Sequence, residues 1–478
     1  MEDLRSDDVR SLEAYYMARC LTLAARATRR VSPNPRVGCV VLDAQGRKVS
    51  EGYHSEAGGP HAEVVALDRA GDRARGGTLF VNLEPCAHHG RTPPCVDRII
   101  ESGVERVVCG TLDPNPLVAG RGRDCLQNAR ISVRYGFLED RCQALNEAFF
   151  QYIRTQRPFV TIKLAMTVDG RIADRVSRPA RFTSPSSQQY VHYLRNEHDA
   201  ILSTAETLLA DNPRLTVRDW PMPGLAQPWR AILDRRGRLT PDAFHVFDAE
   251  ADDAPPRAMV FTRPEAASGP YGERMRAHGV DVIAVADEGT GLDLREVFAR
   301  LGERAVTSVM TEAGGRLAGR LLTRRLAHKL VLFYAPQALA DPYAPSAFAA
   351  TERILSLGDA PLTVTRARRL EGDWVVEALA QGAPRGVNIV RSYGPTPLGA
   401  SPPSIAFAPM TSAAPPDSDA QAPFAKASSE ISSETTAETA DGAPSPDFAS
   451  DSSSESPQDP HAEREAPVPQ DALATAIP

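Results

Sequence analysis

The sequence predicts an α/β protein built as layers of helix on sheet, in two successive regions followed by an acidic, low-complexity tail. Three observations predict it. Short apolar runs of strand length alternate with stretches of helical period up to about Arg385. The chain has 478 residues and a mass of 51.6 kDa, which leaves room for two or three domains at about 150 residues each. The charge is uneven: thirteen acidic against two basic residues give −11 in residues 401–478, which leaves +4 of the formal −7 for residues 1–400.

In the first region, LEAYYMARCLTLAARA places Leu12, Tyr15, Tyr16, Cys20 and Leu23 on one helical stripe. VGCVVLD reads as a buried strand, and HAEVVALDRAG as a helix entered at His61 and closed by Gly71. GTLFVNLEPC is a strand running into a loop. PPCVDRIIESG opens a helix with proline near its first turn, and VERVVCGTLD is a further strand. In the second region, RPFVTIKLAMTVDGRI is a strand and turn, and SPSSQQYVHYLRNE a serine-capped helix. DAILSTAETLLADNP runs strand, loop, short helix and stop. WRAILDRRGRL, PRAMVFTRPE and VDVIAVADEG add strands; AVTSVMTEAGGRLAGRLLTRRL is strand, glycine turn and helix; KLVLFYAP closes with a strand. No repeat of fixed period is present. The tail from about Arg385, rich in Ser, Ala, Pro and acids, buries too little apolar surface to offset its ordering entropy and is expected to be disordered. The expected domains are 1–150, 151–384 and the tail 385–478.

Composition narrows the function. The net charge excludes a globally basic nucleic-acid binder, and the mildly basic folded part suits phosphorylated ligands. No apolar run approaches the roughly 18–20 residues of a membrane span. Met1–Arg10 lacks the apolar core of a secretory signal. Seven scattered cysteines, an odd number, indicate a reducing, cytoplasmic setting.

The strongest chemical signal is His61-Ala62-Glu63 followed by Pro85-Cys86 and Cys95. One imidazole and two thiolates suit tetrahedral Zn²⁺, and a fourth, open position would hold a water whose pKa the ion lowers from 15.7 towards about 7. Glu63, two residues after His61, stands beside the metal without being a ligand, the arrangement of a general acid/base in zinc nucleobase deaminases. Both cysteines are expected at or near helix starts, where the dipole favours thiolate. A structural zinc knot is the alternative, although it usually takes four ligands. His88 and His89, in the loop between the cysteines, either line the pocket or ligate. Cys20, Cys39, Cys109, Cys125 and Cys142 are expected in the core.

The run PNPRVGCVV, GGPHAEVVAL, LEPCAHHGRTPPC and DPNPLVAGRG resembles, in order and spacing, the bifunctional deaminase/reductase family of riboflavin biosynthesis, over about Ser11–Gly382. The long inter-cysteine loop is that family's form of the deaminase motif. The resemblance implies a cytidine-deaminase-like α/β/α sandwich followed by a dihydrofolate-reductase-like domain. It implies zinc-dependent deamination of 2,5-diamino-6-ribosylamino-4(3H)-pyrimidinone 5′-phosphate, with Glu63 passing a proton to the departing amine. NADPH reduction of the ribosyl group to a ribityl chain would follow. The partners expected are this phosphorylated pyrimidine and a possible second copy of the chain, with no nucleic acid and no membrane. A deaminase whose reductase half is impaired or merely structural is the alternative.

The same resemblance assigns the reductase residues. Ala165 in TIKLAMTVDGRIA, Thr207 and Asp211 in TLLADNPRLTVR, and Gly314 and Gly315 in MTEAGGRLAGRL match cofactor positions. Arg195 in HYLRNEHDAIL, Leu215, Arg218 and Glu312 match substrate positions; a guanidinium is the expected phosphate partner. Lys163 and Asp169 are either a surface charge pair or substrate-side groups. Three departures stand out. Pro179 and Arg181 replace the family's Ser and Trp, and Arg235 stands where Ser is common. An arginine at 235 would either meet the 2′-phosphate of NADP or lie on ordinary surface.

Overall fold

A computed structural model describes residues 6–87, 93–115, 119–175, 182–218, 227–249, 255–349 and 359–381. His88, His89, Pro179, Arg181 and the acidic tail lie outside the described residues.

The N-terminal region runs α1 (Ser6–Ala24), β1 (Gly38–Leu42), β2 (Lys48–Tyr53), α2 (Ala62–Ala70), β3 (Thr78–Val81), α3 (Cys95–Ser102), β4 (Arg106–Cys109), α4 (Arg121–Asn128), β5 (Ser132–Arg134), α5 (Glu139–Leu145) and α6 (Glu147–Thr155). Its sheet has five strands in the order β2-β1-β3-β4-β5. β1 is antiparallel to β2 and β3, whereas β3, β4 and β5 are parallel. β1 and β3 are buried along their whole length, which is why GCVVL and TLFV are unbroken apolar runs. Successive residues feed opposite faces. Cys39 and Val41 pack with Ala66 and Leu67 of α2 and Ile99 of α3, while Val40 and Leu42 pack with Met17 and Cys20 of α1. The result is the expected α/β/α sandwich.

Two core expectations need correction. Cys20 and Leu23 of the predicted stripe are buried, but Leu12 and Tyr15 are exposed, and Glu13, Met17, Leu21 and Ala24 complete the buried side of α1. Glu13 is tolerated there because Arg134 Nη1 donates to both its carboxylate oxygens, at 2.7 and 2.8 Å. Cys125 is exposed, because α4 turns Gly122 and Leu126 inward instead. The other four cysteines assigned to the core are buried.

The second region runs β6 (Phe159–Thr167), α7 (Pro185–Glu197), β7 (Ala200–Thr204), α8 (Ala205–Asp211), β8 (Trp229–Leu233), β9 (Ala258–Thr262), α9 (Pro264–Ser268), α10 (Pro270–Ala277), β10 (Asp281–Ala284), α11 (Leu294–Glu303), β11 (Ser308–Thr311), α12 (Gly315–Thr323), β12 (Lys329–Ala335), β13 (Leu362–Leu370) and β14 (Asp373–Ala380). Nine strands form one sheet in the order β10-β9-β8-β7-β11-β6-β12-β14-β13. The first seven in that order are parallel, and β14 and β13 close the edge as an antiparallel hairpin. Ser184 caps α7 as expected, accepting from the Ser187 N–H. Between β7 and α8 there is no loop: Thr204 ends the strand and caps the helix, accepting from the Thr207 N–H. The chain lays β7 to β10 outward from β6, then returns to insert β11 between β7 and β6 and places β12 on the far side. Such a reversal opens a crevice at the carboxyl ends of the strands, where ligands of open α/β sheets bind.

The two sheets are tied by polar contacts. Arg36 Nη1 donates to Glu197 Oε2 at 2.7 Å, the Ser32 hydroxyl to Asp199 Oδ2 at 2.8 Å, and the Tyr152 hydroxyl to the Gly302 carbonyl at 3.1 Å. Among the described residues no helix is long and apolar enough to cross a membrane.

Candidate functional site

His61 is the N-cap residue of α2, and its side chain makes no capping bond. Its Nδ1 lies 3.0 Å from Cys95 Sγ and 3.6 Å from Cys86 Sγ. The three ligand atoms all fall within 4.8 Å of one another. Cys95 opens α3, as expected, but Cys86 sits in the loop after β3 and not at a helix start. The α3 terminus still reaches it, because the Cys95 backbone N–H donates to Cys86 Sγ at 3.3 Å. No disulfide joins the two sulfurs. The hydrogen bond from the Cys95 thiol, and also His61, hold the Cys86 thiol well below the usual thiol range. The Cys95 thiol, which gives that bond, moves up. One sulfur is thus ready as an anion, and the second needs a cation beside it to release its proton. Together with a nitrogen at contact distance, this donor set fits Zn²⁺.

Glu63 lies in the first turn of α2 and is buried. Burial, and then the negative Cys86 sulfur, push its carboxyl up to about 7, so it can both take and give a proton near neutrality. His61, Glu63 and Cys86 line a cavity of about 380 Å³ whose other walls include Asn34, His54, Asp113, Asn115 and Tyr152. Sequence reasoning had not singled out these wall residues. Asn34 Nδ2 meets His54 Nε2 at 3.1 Å, and His54 Nδ1 meets the Pro60 carbonyl at 3.0 Å, so the turn before His61 is braced from within. Buried Glu84 accepts from the backbone N–H groups of Asp113, Gly120 and Arg123 at 3.1, 3.0 and 3.2 Å, which fixes the loop carrying Asp113 and Asn115. Asn34, Asp113 and Asn115 were signalled in the sequence only by their position inside the motifs PNP and DPNP, and His54 and Tyr152 lie in neither motif.

In the second region the structure brings several assigned residues together at the carboxyl ends of the strands. Arg195, in the last turn of α7, grips Glu312 with two bonds, Nε to Oε1 at 2.6 Å and Nη2 to Oε2 at 3.0 Å. Lys163 of β6 reaches Oε2 of the same carboxylate at 3.4 Å. Burial alone would raise Glu312; the charges of Arg195 and Lys163 overturn that and hold it at about 2. Arg195 Nη1 also donates to the Thr216 carbonyl at 2.9 Å, and Arg218 Nη1 to the Thr216 hydroxyl at 3.0 Å, so Arg218 adjoins the cluster. Leu215 is buried with φ +54°, which leaves its backbone as the part a ligand could meet. Lys163 pairs with Glu312, not with Asp169, whose carboxylate instead binds the Thr167 hydroxyl and the N–H groups of Leu339 and Ala340.

The cofactor positions stand along the same edge without hydrogen-bonding to that cluster. Ala165 is two residues beyond Lys163 on β6, Thr207 is in the first turn of α8 and exposed Asp211 in its last, and Gly314 caps α12. A Cβ on Gly314 would meet only Ile172 Cδ1 at 3.9 Å, so its outer side is open, whereas one on Gly315 would strike the Ser346 carbonyl at 2.0 Å. A bare N–H face at the start of a nine-residue helix fits the phosphates of a dinucleotide.

Two family models match the chain: the cytidine and deoxycytidylate deaminase zinc-binding region over residues 10–111, and the RibD C-terminal domain over residues 158–375. The chain is 40% identical over 338 residues to the riboflavin biosynthesis protein RibD of Escherichia coli, covering 68% of this chain and 88% of that one. It is also 40% identical over 333 residues to RibD of Aquifex aeolicus, covering 70% and 89%. Among solved structures, Acinetobacter baumannii RibD superposes with a TM-score of 0.69 at 32% identity, over 78% of this chain and 99% of that one. A Thermotoga maritima diaminohydroxyphosphoribosylaminopyrimidine deaminase/5-amino-6-(5-phosphoribosylamino)uracil reductase superposes at 0.66 with 35% identity, over 78% and 99%.

Proposed function

The chain belongs to the RibD family of riboflavin-biosynthesis proteins, and from that premise we propose which of its residues carry the two reactions. The fold is a cytidine-deaminase-like domain followed by a dihydrofolate-reductase-like domain, and the protein is a bifunctional zinc aminohydrolase and NADPH-dependent reductase. It deaminates 2,5-diamino-6-ribosylamino-4(3H)-pyrimidinone 5′-phosphate and then reduces the ribosyl side chain, giving 5-amino-6-ribitylamino-uracil 5′-phosphate. The alternative of a merely structural reductase half gains nothing from the comparisons.

In our reading His61, Cys86 and Cys95 hold the metal and Glu63 is the catalytic acid/base. The convergence of the three ligand atoms within 4.8 Å, beside a buried carboxyl, carries this reading. When bound, zinc supplies an ionised water as nucleophile at neutral pH. Glu63 accepts a proton on a carboxylate oxygen and returns it to the amino group as the bond to ring carbon C2 breaks, so that ammonia leaves. The cavity walls exclude bulk water and hold the pyrimidine against Glu63. In the reductase half, Ala165, Thr207, Asp211, Gly314 and Gly315 contact the dinucleotide, which supplies the hydride. Arg195, Leu215, Arg218 and Glu312 hold the substrate, with Arg195 turning its guanidinium to phosphate at the cost of a contact to Glu312. We divide the chain into a deaminase domain at 1–150, a reductase domain at 151–384 and an appended tail at 385–478. The membership of the first two in separate sheets supports this division. A cytoplasmic setting is supported by the free cysteines, and small-molecule chemistry without nucleic acid by the net charge of −7.

The test is Glu63→Gln. Zinc content, measured by elemental analysis, should stay at that of the parent protein, while ammonia release falls by about 10²–10⁴ or more. Unimpaired turnover in a zinc-loaded Glu63→Gln protein would refute the assignment.

A further inference from the structure

We infer that Arg235 and Arg263 form the subsite for the 2′-phosphate of NADPH and so set the preference for it over NADH. The inference rests on the reductase reading above, in which the dinucleotide lies along the carboxyl ends of the parallel strands.

β8 and β9 are parallel with Leu233 opposite Phe261, and the pairing runs on one step as the Asp234 N–H donates to the Phe261 carbonyl at 2.9 Å. One residue further, the chain leaves each strand through an arginine. Arg263 Nε donates to the Arg235 carbonyl at 3.1 Å, so two cations are fixed next to one another. One carboxylate serves both: Asp287 Oδ1 takes Arg235 Nε at 2.8 Å, and Oδ2 lies 3.9 Å from Arg263 Nη1. Like charges side by side disfavour the fold, and one carboxylate leaves a net positive charge. Among the described residues the terminal nitrogens of Arg235 make no hydrogen bond, and the two arginine side chains are 30% and 40% exposed. Asp287 answers only one of the two charges, through Arg235 Nε and more distantly Arg263 Nη1, and the partly exposed terminal nitrogens of Arg235 remain as the two-pronged donor set that guanidinium offers to phosphate.

The platform is rigid. Asp234 is fully buried, and its Oδ2 accepts from the Leu239 N–H at 2.9 Å and the Tyr271 hydroxyl at 3.0 Å, pinning the turn after β8. Of the two further arginines of that turn, Arg236 and Arg238, the second is neutralised by Glu206 of α8 at 2.5 Å. That pair also joins the turn to the helix bearing Thr207. The distance is right as well. Along the order β9-β8-β7-β11, with strands about 4.8 Å apart, β8 and β9 lie about 10 and 14 Å from β11, whose exit leads to Gly314. With its phosphates at Gly314, an extended dinucleotide reaches these arginines with its adenosine end. NADH brings a hydroxyl there and leaves both cations unanswered.

The test uses calorimetric titration of the full chain with 2′,5′-ADP, 5′-AMP, NADPH and NADH. The parent protein should bind 2′,5′-ADP about tenfold or more tighter than 5′-AMP, since a charged hydrogen bond contributes about 1.5–3 kcal/mol. Arg235→Gln and Arg263→Gln should each cut that ratio about tenfold and leave NADH binding unchanged; Arg235→Lys, which keeps the charge, should fall between. A parent preference for NADPH that persists in both glutamine variants would overturn the inference and leave the reductase reading standing. Failure of the parent to bind either dinucleotide would overturn the reductase reading itself.

Discussion

Glu312 holds two cations with one carboxylate inside the protein, and its protonation is therefore written into the stability of the reductase domain. Its pKa is 4.5 when free and about 2 in the fold. A depressed acid stabilises the fold above its free pKa, and the contribution is lost as pH falls from about 4.5 towards 2. Melting temperatures should therefore drop across that window, and the drop should shrink in Glu312→Gln. Glu312→Ala strands buried Arg195 and the largely covered Lys163, and should cost about 3–5 kcal/mol in denaturant titration. Ligand residues such as His61, Cys86 and Cys95 were legible in the sequence because metal chemistry restricts which side chains can serve. The Arg195–Glu312–Lys163 cluster was not legible as one, because its members come from three separate elements, α7, β11's exit and β6, and no spacing joins them.

At the level of elements, α12 shows what a glycine pair does. Gly314 is open to a ligand, and Gly315 lets the helix start against the backbone at Ser346 and Ala347. Gly315→Ala puts a methyl group 2.0 Å from a carbonyl oxygen that cannot swing aside, and should cost about 1–3 kcal/mol in thermal unfolding. Gly314→Ala should leave stability nearly unchanged and weaken NADPH binding. Strands such as β1 and β3, buried along their whole length, and β12, buried through its centre, could be read directly because both their faces are covered and apolar residues predominate. β2, written KVSEGY, and β13, written LTVTRARRL, escaped notice because they are edge strands whose composition is set by solvent. The face of α1 was misjudged for a related reason: Tyr15 is apolar enough to suit a core, but the side that meets the sheet carries Glu13, paired with Arg134.

Across the whole molecule, the deaminase cavity and the reductase domain share a seam. Arg36 lies between Pro35 and Val37, both cavity-lining, and its backbone is held by Asn146 and Asn82 while its side chain crosses to Glu197 of α7. Two residues before Glu197 on that helix stands Arg195. A double-mutant cycle of Arg36→Ala and Glu197→Ala should show a coupling energy of about 0.5–3 kcal/mol in unfolding. Additive effects would mean that the pair does not link the two halves. The central claim is that one chain carries both reactions, and the direct measurement supplies zinc-loaded intact protein with the phosphorylated diaminopyrimidine and NADPH, following ammonia and absorbance at 340 nm together. The account predicts that ammonia appears first and that one equivalent of NADPH is then oxidised for each ammonia released. Ammonia without NADPH oxidation, or NADPH oxidation that does not wait for deamination, would contradict it.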